Sequence, residues 1–455
     1  MHDKFYNIFY NMNVCYMYMM SGEDVVKKIQ EKIIPSVEES LYVEQVAEKL
    51  KNSVLEELGD INYKVELCGS IAKGTYLKNP DIDIFVIFPI DSTILLMRNT
   101  VRELGKKLLE RSFEKYAQHP YTKGKYEGFD VDIVPCYDIP ESSNIKSAVD
   151  RTPYHTRFIK EHLSDEQKKD IRILKKFMKA IGVYGADNAT QGFSGYLTEL
   201  LIYQYGSFLK AVEEFSKWKH ITRIGHWEGA DDGPLIFVDP IDKNRNVASA
   251  VSAKSYYTLI AASIDFIRHP AETFFFPEKK KIPNKEDMYS FSEFMKDNLY
   301  AITFEIEEEN DDITIPQIRR SANGIEKKLN GAGFTVKDMA FFIKNSIGII
   351  MFLFEFSGYR TDLHLGPPVS SANSVNFREK WKEYHPFIKN GSWAVIKPDK
   401  YGTSYAALCS AIKLAAHGKN IKDSLKNSKI LSYGEIIEEF PEEFYQFVYH
   451  PIPWM

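Results

Sequence analysis

Apolar positions recur at helical spacing from Val37 to Leu58, through Leu41, Val46, Leu50, Val54 and Leu58, and Gly59 stands where such a helix would end. Ahead of it, Ser21 is placed to cap a charged amphipathic helix beginning near Glu23. The period then changes. Lys64–Leu67 alternates as a short strand does, Asp81–Phe88 is a β-rich run closed by Pro89, and Phe129–Pro135 is another, with a helical stretch from about Thr93 to Lys115 between the last two. Residues 21–155 therefore predict an α/β unit around a small mixed sheet. Beyond Asp150 the pattern is of long helices with leucine and aromatic stripes, at Asp165–Ile181, Ser194–Glu213 and Ala250–Ile267, which predicts a helical second domain over 156–276. The Lys/Pro-rich stretch Pro277–Asn284 reads as a linker. After it come a strand at Tyr300–Ile306, a helix at Pro316–Asn330, strands around Thr335 and at Ile347–Phe356, and a turn-rich stretch at Gly366–Ala372. Helices follow at Val375–Tyr384, Ser404–His417 and Glu435–Phe447, so residues 277–455 predict an α+β body and tail. The fold class is a multidomain α/β and α protein without internal repeats.

Composition adds bounds. A chain of 455 residues is too long for one hydrophobic core, and 44% hydrophobic with 27% charged residues is the balance of a water-soluble globular protein. The net charge of −5 argues against a nucleic-acid partner if taken as a sum. One cluster runs the other way: Arg378, Lys380, Lys382 and Lys389, interleaved with Trp381, Tyr384, Phe387 and Trp393, combines phosphate partners with stacking surfaces, against the plainer reading of a solvated amphipathic helix. Cys15, Cys68, Cys136 and Cys409 are scattered with no zinc-site spacing, which fits a reducing, cytoplasmic compartment. The segment up to Met20 is rich in Met, Tyr and Phe but broken by Asn. It fails as a signal or membrane segment, and Met20 reads as the true start, since Ser21 then caps the first helix.

The chemistry lies in carboxylates. Asp81 and Asp83 are one residue apart in a strand, so both leave the same face while Ile82 and Ile84 turn to the core. Phe129-Asp130-Val131-Asp132-Ile133 repeats the arrangement, and if the two strands pair, Asp132 approaches the first two. Three carboxylates at one spot repel unless a cation neutralises them, and hard oxygen ligands suit Mg²⁺. Two such ions would activate a hydroxyl and stabilise a leaving pyrophosphate. Either Asp-x-Asp alone is more often a solvated edge strand. The added signal is Leu67-Cys68-Gly69-Ser70-Ile71-Ala72-Lys73-Gly74, where a strand ending in Gly-Ser enters a helix and offers amides and a hydroxyl to a triphosphate, with Lys73 adding charge. Gly-Ser followed eleven residues later by Asp-x-Asp, with a third Asp on a later strand, is far more specific than any one part.

That combination resembles the nucleotidyltransferase superfamily of DNA polymerase β, poly(A) polymerases and CCA-adding enzymes. The likeness narrows to the class I CCA-adding enzymes of archaea through Asn144–His155, Val131–Cys136, Ile181–Ala186, Gly192–Tyr196, and Val238-Asp239-Pro240 through Arg245-Asn246-Val247, and continues more faintly through His385–Gly391. The resemblance implies a polymerase β-like head, a helical neck and a body and tail that bind tRNA, with CTP and ATP as substrates and Mg²⁺ as cofactor. It places Asp81, Asp83 and Asp132 at the metal-binding positions, with Asp132 taking the primer's 3′-hydroxyl proton. It also places Ser70 and Lys73 on the triphosphate, His155, Lys175 and Tyr184 on the phosphates and ribose with Thr152 beside them, and Arg245 on the base edge. The chain departs from the family in having Asp81 where Glu is common and Lys73 where Arg is common, which keeps the charge but loses the bidentate fork. Without the resemblance, His155, Lys175 and Tyr184 read as a turn histidine, a solvated charge and a packing residue. Membrane association is not expected, and a homodimer is an admissible assembly. The competing readings are a poly(A) or other terminal RNA nucleotidyltransferase, a small-molecule nucleotidyltransferase and an inactive RNA-binding scaffold.

Overall fold

A computed structural model of the chain describes residues 20–59, 63–116, 120–139, 146–230, 233–307 and 311–455. The apolar segment before Met20, with Cys15, and the Asn144 and Ile145 of the family-like motif lie outside the described residues. The chain divides into two compact units, one up to Glu278 together with Ile452–Met455, the other Lys279–Pro451. The division falls within the Lys/Pro-rich stretch, where residues 277–284 form no regular element.

The first unit opens with α1 (Gly22–Ile33) and α2 (Val37–Leu58), each with a capping box, on Ser21 and on Ser36. Then follow β1 (Lys64–Cys68), α3 (Gly69–Lys73), β2 (Ile82–Phe88), α4 (Ile94–Leu108), β3 (Glu110–Tyr116), β4 (Pro120–Tyr126) and β5 (Phe129–Tyr137). The sheet order is β1-β2-β5-β4-β3, with β2 and β5 parallel and the other neighbours antiparallel. Strand alternation sends Ile82, Ile84, Val86 and Phe88 into a core with Val46, Leu50 and Val54 of α2 and Met97, Val101 and Leu104 of α4. The other sheet face holds the smaller cluster of Cys68, Phe85, Ile87, Val134 and Cys136. The helical stretch expected over Thr93–Lys115 ends early: α4 stops at Leu108, and Glu110–Tyr116 joins β4 in a hairpin, with Arg111 at φ 52°. The polar alternation of this hairpin suits an edge strand and carries little apolar signal.

The helices α5 (Thr152–His162), α6 (Asp165–Ala180), α7 (Gly195–Tyr205) and α8 (Phe208–Lys217), the short strands β6 (Thr222–Ile224) and β7 (Leu235–Phe237), and α9 (Ala253–Arg268) complete the unit. The long helix read at Ser194–Glu213 is two helices, because Gly206 takes φ 89° and Ser207 caps the second. Their core gathers Phe177, Phe193, Phe208, Phe215, Phe266 and Phe275. Two sequence-remote segments join it: α1 through Val25, Ile29 and Ile33, and Trp454, whose Nε1 donates to Asp265 at 3.0 Å.

The second unit contains α10 (Lys285–Ser292), β8 (Leu299–Glu305), α11 (Asp311–Gly331), β9 (Val336–Lys344), β10 (Ile347–Phe354), β11 (Thr361–Pro368), α12 (Ser374–Lys380), β12 (Phe387–Lys389), β13 (Ser392–Pro398), α13 (Ser404–Leu414), α14 (Lys422–Lys426), β14 (Lys429–Ser432), α15 (Tyr433–Glu439) and α16 (Pro441–Tyr449). The antiparallel sheet β14-β8-β10-β9 is covered on both faces: Ile350, Phe352 and Phe354 face α11 and α13, while Ile349 and Met351 face α15 and α16. Double coverage is why β10 reads as an unbroken apolar run. A three-stranded sheet, β11-β13-β12, carries α12. The expected helix at Val375–Tyr384 stops at Lys380, and that at Glu435–Phe447 breaks at Phe440-Pro441, since proline cannot continue a helix but can begin one. Pro316 stands inside α11 and does not begin it.

Candidate active site

The first acidic pair sits at the mouth of β2. Asp81 is exposed and immediately precedes the strand, while Asp83 is the strand's second residue. In register Asp83 lies opposite Cys68 of β1 on one side and Asp132 of β5 on the other. Parallel pairing of equivalent positions sends both side chains to one face, so the three carboxylates the sequence singled out belong to one surface. Gly69 shows how tightly this is built. Its φ is 66°, and a Cβ there would overlap the Asp83 carboxylate, so glycine is required both by conformation and by space.

The electrostatics follow from crowding. Burial, then repulsion from Asp132 and Asp81, pushes the Asp83 carboxyl up to about 7. Burial also raises Asp132, against the pull of Lys123. Lys123 lies opposite Asp132 on β4, with its Nζ 3.5 Å from Asp132 Oδ1, a partner the sequence reading did not select. Among the described residues, no three acidic, histidine or cysteine side chains are gathered closely enough to surround an ion. The donor set nevertheless suits a hard divalent cation. It is all oxygen, Asp83 is reluctant to ionise without a counter-charge, and the buried Asp132 Oδ1 has only the long 3.5 Å ion pair to Lys123.

Next to the acidic pair opens a cleft of about 380 Å³. Its lining includes Ser70, Lys73, Asp81, Asp83, Lys175 and Tyr184, so the structure brings together six of the predicted residues. Lys179 and Tyr196 line it too. The wall is organised by Glu199, which sequence reasoning missed. This glutamate is fully buried on α7 and accepts from Lys73 Nζ at 2.6 Å, Lys175 Nζ at 3.0 Å and Thr75 Oγ1 at 2.6 Å. Burial alone would raise its carboxyl, but Lys175 and Lys73 prevail and hold it at about 2. Lys175 also donates to the carbonyl of Thr75 at 3.1 Å. Lys175 is thus a buried, oriented cation and not a solvated helix charge. Burial pushes the Tyr184 hydroxyl up to about 12, so it stays a neutral donor.

His155, Thr152, Asp132 and Arg245 are not among the lining residues. Thr152 lies at the start of α5, where its carbonyl accepts from Thr156. His155 Nε2 and Arg245 Nη1 both reach Asp239 Oδ2, at 3.1 and 2.9 Å. A carboxylate only accepts, so Nε2 carries the imidazole proton. Burial lowers the His155 pKa, against the attraction of Asp239. With Nε2 engaged by Asp239, Nδ1 is the ring nitrogen left to meet another group. The sequence signal for Asp239 was its place in Val238-Asp239-Pro240, and for Glu199 a lone charge among leucines on α7.

A parallel strand pair that presents carboxylates beside a Gly-Ser turn and a lysine-walled cleft is the arrangement of a nucleotidyltransferase, and a model described as nucleotidyltransferase domain matches residues 47–155. Residues 169–276 match tRNA nucleotidyltransferase, second domain, and residues 297–433 match CCA-adding enzyme, C-terminal domain. The chain is 34% identical to the CCA-adding enzyme of Thermoplasma volcanium over 88% of its own length and 92% of that protein, and 37% identical to that of Saccharolobus solfataricus over 79% and 84%. A solved cytoplasmic RNA terminal U-transferase aligns with a TM-score of 0.45 at 15% identity, covering 57% of this chain and 100% of that one. The chain belongs to the CCA-adding enzyme family.

Among the described residues, no helix is long and apolar enough to cross a membrane.

Proposed function

We propose that this chain adds C, C and then A to the 3′ end of tRNA, drawing on CTP and ATP without a nucleic-acid template and using Mg²⁺. The observation that carries the reading is the shared wall of the cleft, where Asp81 and Asp83 adjoin Ser70, Lys73 and Lys175. Asp81, Asp83 and Asp132 would hold the divalent ion, which supplies charge neutralisation for the entering hydroxyl and the departing pyrophosphate. Ser70, Lys73 and Lys175 hold the triphosphate, and Tyr184 donates to its sugar end. Asp132, raised by burial, receives the proton of the primer's 3′-hydroxyl at its carboxylate. His155, with Thr152 beside it on α5, meets the phosphates and ribose, and Arg245 selects the base. We divide the chain into a head to residue 155, a neck over 156–276 and a body and tail from 277 that bind the tRNA. In that last segment Arg378, Lys380, Lys382 and Lys389 are exposed, and Arg378 lies over the Trp393 ring at 5.0 Å.

Transcripts of one tRNA ending before CCA, after C and after CC separate this from tailing activity. With CTP and ATP present, each is expected to stop at CCA. A ladder of A residues beyond that point, or A added directly to the transcript ending before CCA, would overturn the proposal.

A further inference from the structure

Asp239 is fully buried, yet carries four hydrogen bonds. Oδ2 accepts from Arg245 Nη1 at 2.9 Å and His155 Nε2 at 3.1 Å, and Oδ1 from the Ile241 amide at 3.0 Å and the Tyr196 hydroxyl at 3.2 Å. The same residue closes the loop that carries Arg245. Its amide donates to the Arg245 carbonyl at 3.0 Å, the Arg245 amide donates to the Asp242 carbonyl at 2.9 Å, and Val238 bridges to Asn246 across the loop. Tyr196, a lining residue of the cleft, stacks on His155 with ring centroids 3.7 Å apart and 16° between planes. A chain of direct contacts therefore runs from the cleft wall through one carboxylate to the guanidinium. Arg245 keeps about a third of its side chain exposed, at 32%, and a guanidinium is a rigid planar fork. Fixing one nitrogen fixes the direction of the others.

We propose that Asp239 is a positioning residue for base selection: it aims the Arg245 guanidinium and couples that aim to Tyr196 and His155 at the nucleotide cleft. The proposal rests on reading Arg245 as the group that meets the base edge. Asp239→Asn tests it, because whichever way the amide is turned, its NH₂ faces donors on one oxygen position or the other. With the transcript ending before CCA, the variant is expected to lose preference for CTP over UTP by about tenfold, as a site does when a donor built for a base edge loses its aim. Inhibition by inorganic pyrophosphate, which reads the triphosphate wall, should shift by no more than about twofold.

Tyr196→Phe keeps the ring and its stacking but removes one tether from the carboxylate, and a loss of a few-fold in the same preference is expected. It serves as the deciding variant if Asp239→Asn does not fold. Arg245→Ala separates the two levels. If it retains the preference, the base-reading role falls and the proposal with it. If it loses the preference while Asp239→Asn, or Tyr196→Phe in its place, retains it, the positioning role alone is overturned.

Discussion

Asp83→Asn is expected to reduce CTP incorporation by about a thousandfold or more, the scale of removing several kcal/mol of cation-borne stabilisation, while making the metal-free protein melt higher at pH 8. The two effects have one cause. Asp83 is driven up to about 7 by burial and by its acidic neighbours, above the ordinary range near 4 of an unfolded aspartate. An acid raised in the folded state adds nothing unfavourable below the unfolded value. Its cost appears as pH climbs through the window from about 4 to about 7 and is fully present above it. The neutral amide removes that cost, so melting curves of wild type and variant should converge toward pH 4 and separate by pH 8. Adding a divalent cation should reverse the order, because wild type has a ligand the variant lacks. A variant that retained near-normal incorporation would remove Asp83 from the chemistry. Identical pH dependence of melting would show that burial and the acidic neighbours do not raise Asp83 in the folded protein.

Glu199→Ala should be the most destabilising single change in the cleft. It removes the ion-pair partner of Lys73 and Lys175, two largely buried ammonium groups, at a cost of about 3–5 kcal/mol. Because the Glu199 carboxyl is held at about 2, its contribution is complete above the unfolded value near 4 and fades only as pH falls toward 2, so the loss applies throughout the neutral range. Calorimetry should show the transition of the N-terminal unit lowered by roughly 10 °C. Glu199→Gln, which retains the shape and the bond from Thr75, should fall less. An alanine variant melting within a degree or two of wild type would mean that the lysines find other partners, and the view of Glu199 as organiser of the wall would be wrong.

The acidic strands were legible because alternation forces Asp81 and Asp83 to one face and their isoleucines to the other, and because Asp132 sits in an identical pattern. That β2 and β5 are parallel and in register at Asp83 and Asp132 was not, since pairing partners are chosen by contacts across the fold. The hairpin Glu110–Tyr116 with Pro120–Tyr126 was hidden for a related reason: as a polar edge it lacks the apolar signature on which strand reading depends. Glu199 illustrates a different gap. Its partners Lys73 and Thr75 lie more than a hundred residues away, so nothing local marks it beyond an out-of-place charge on an apolar helix. His155 and Arg245 were singled out through family likeness, and Asp239 lies in the same family-like stretch, but that its carboxylate joins the two became visible only in three dimensions.

A divalent cation held by the Asp81, Asp83 and Asp132 face beside the nucleotide cleft should be measurable as bound metal. Electron paramagnetic resonance, which counts free Mn²⁺, tests it directly when the ion is titrated into the full chain with CTP present. Wild type is expected to withdraw Mn²⁺ from solution, and Asp83→Asn and Asp132→Asn to withdraw markedly less at the same CTP concentration. Equal binding by all three proteins would place the ion elsewhere and contradict the account.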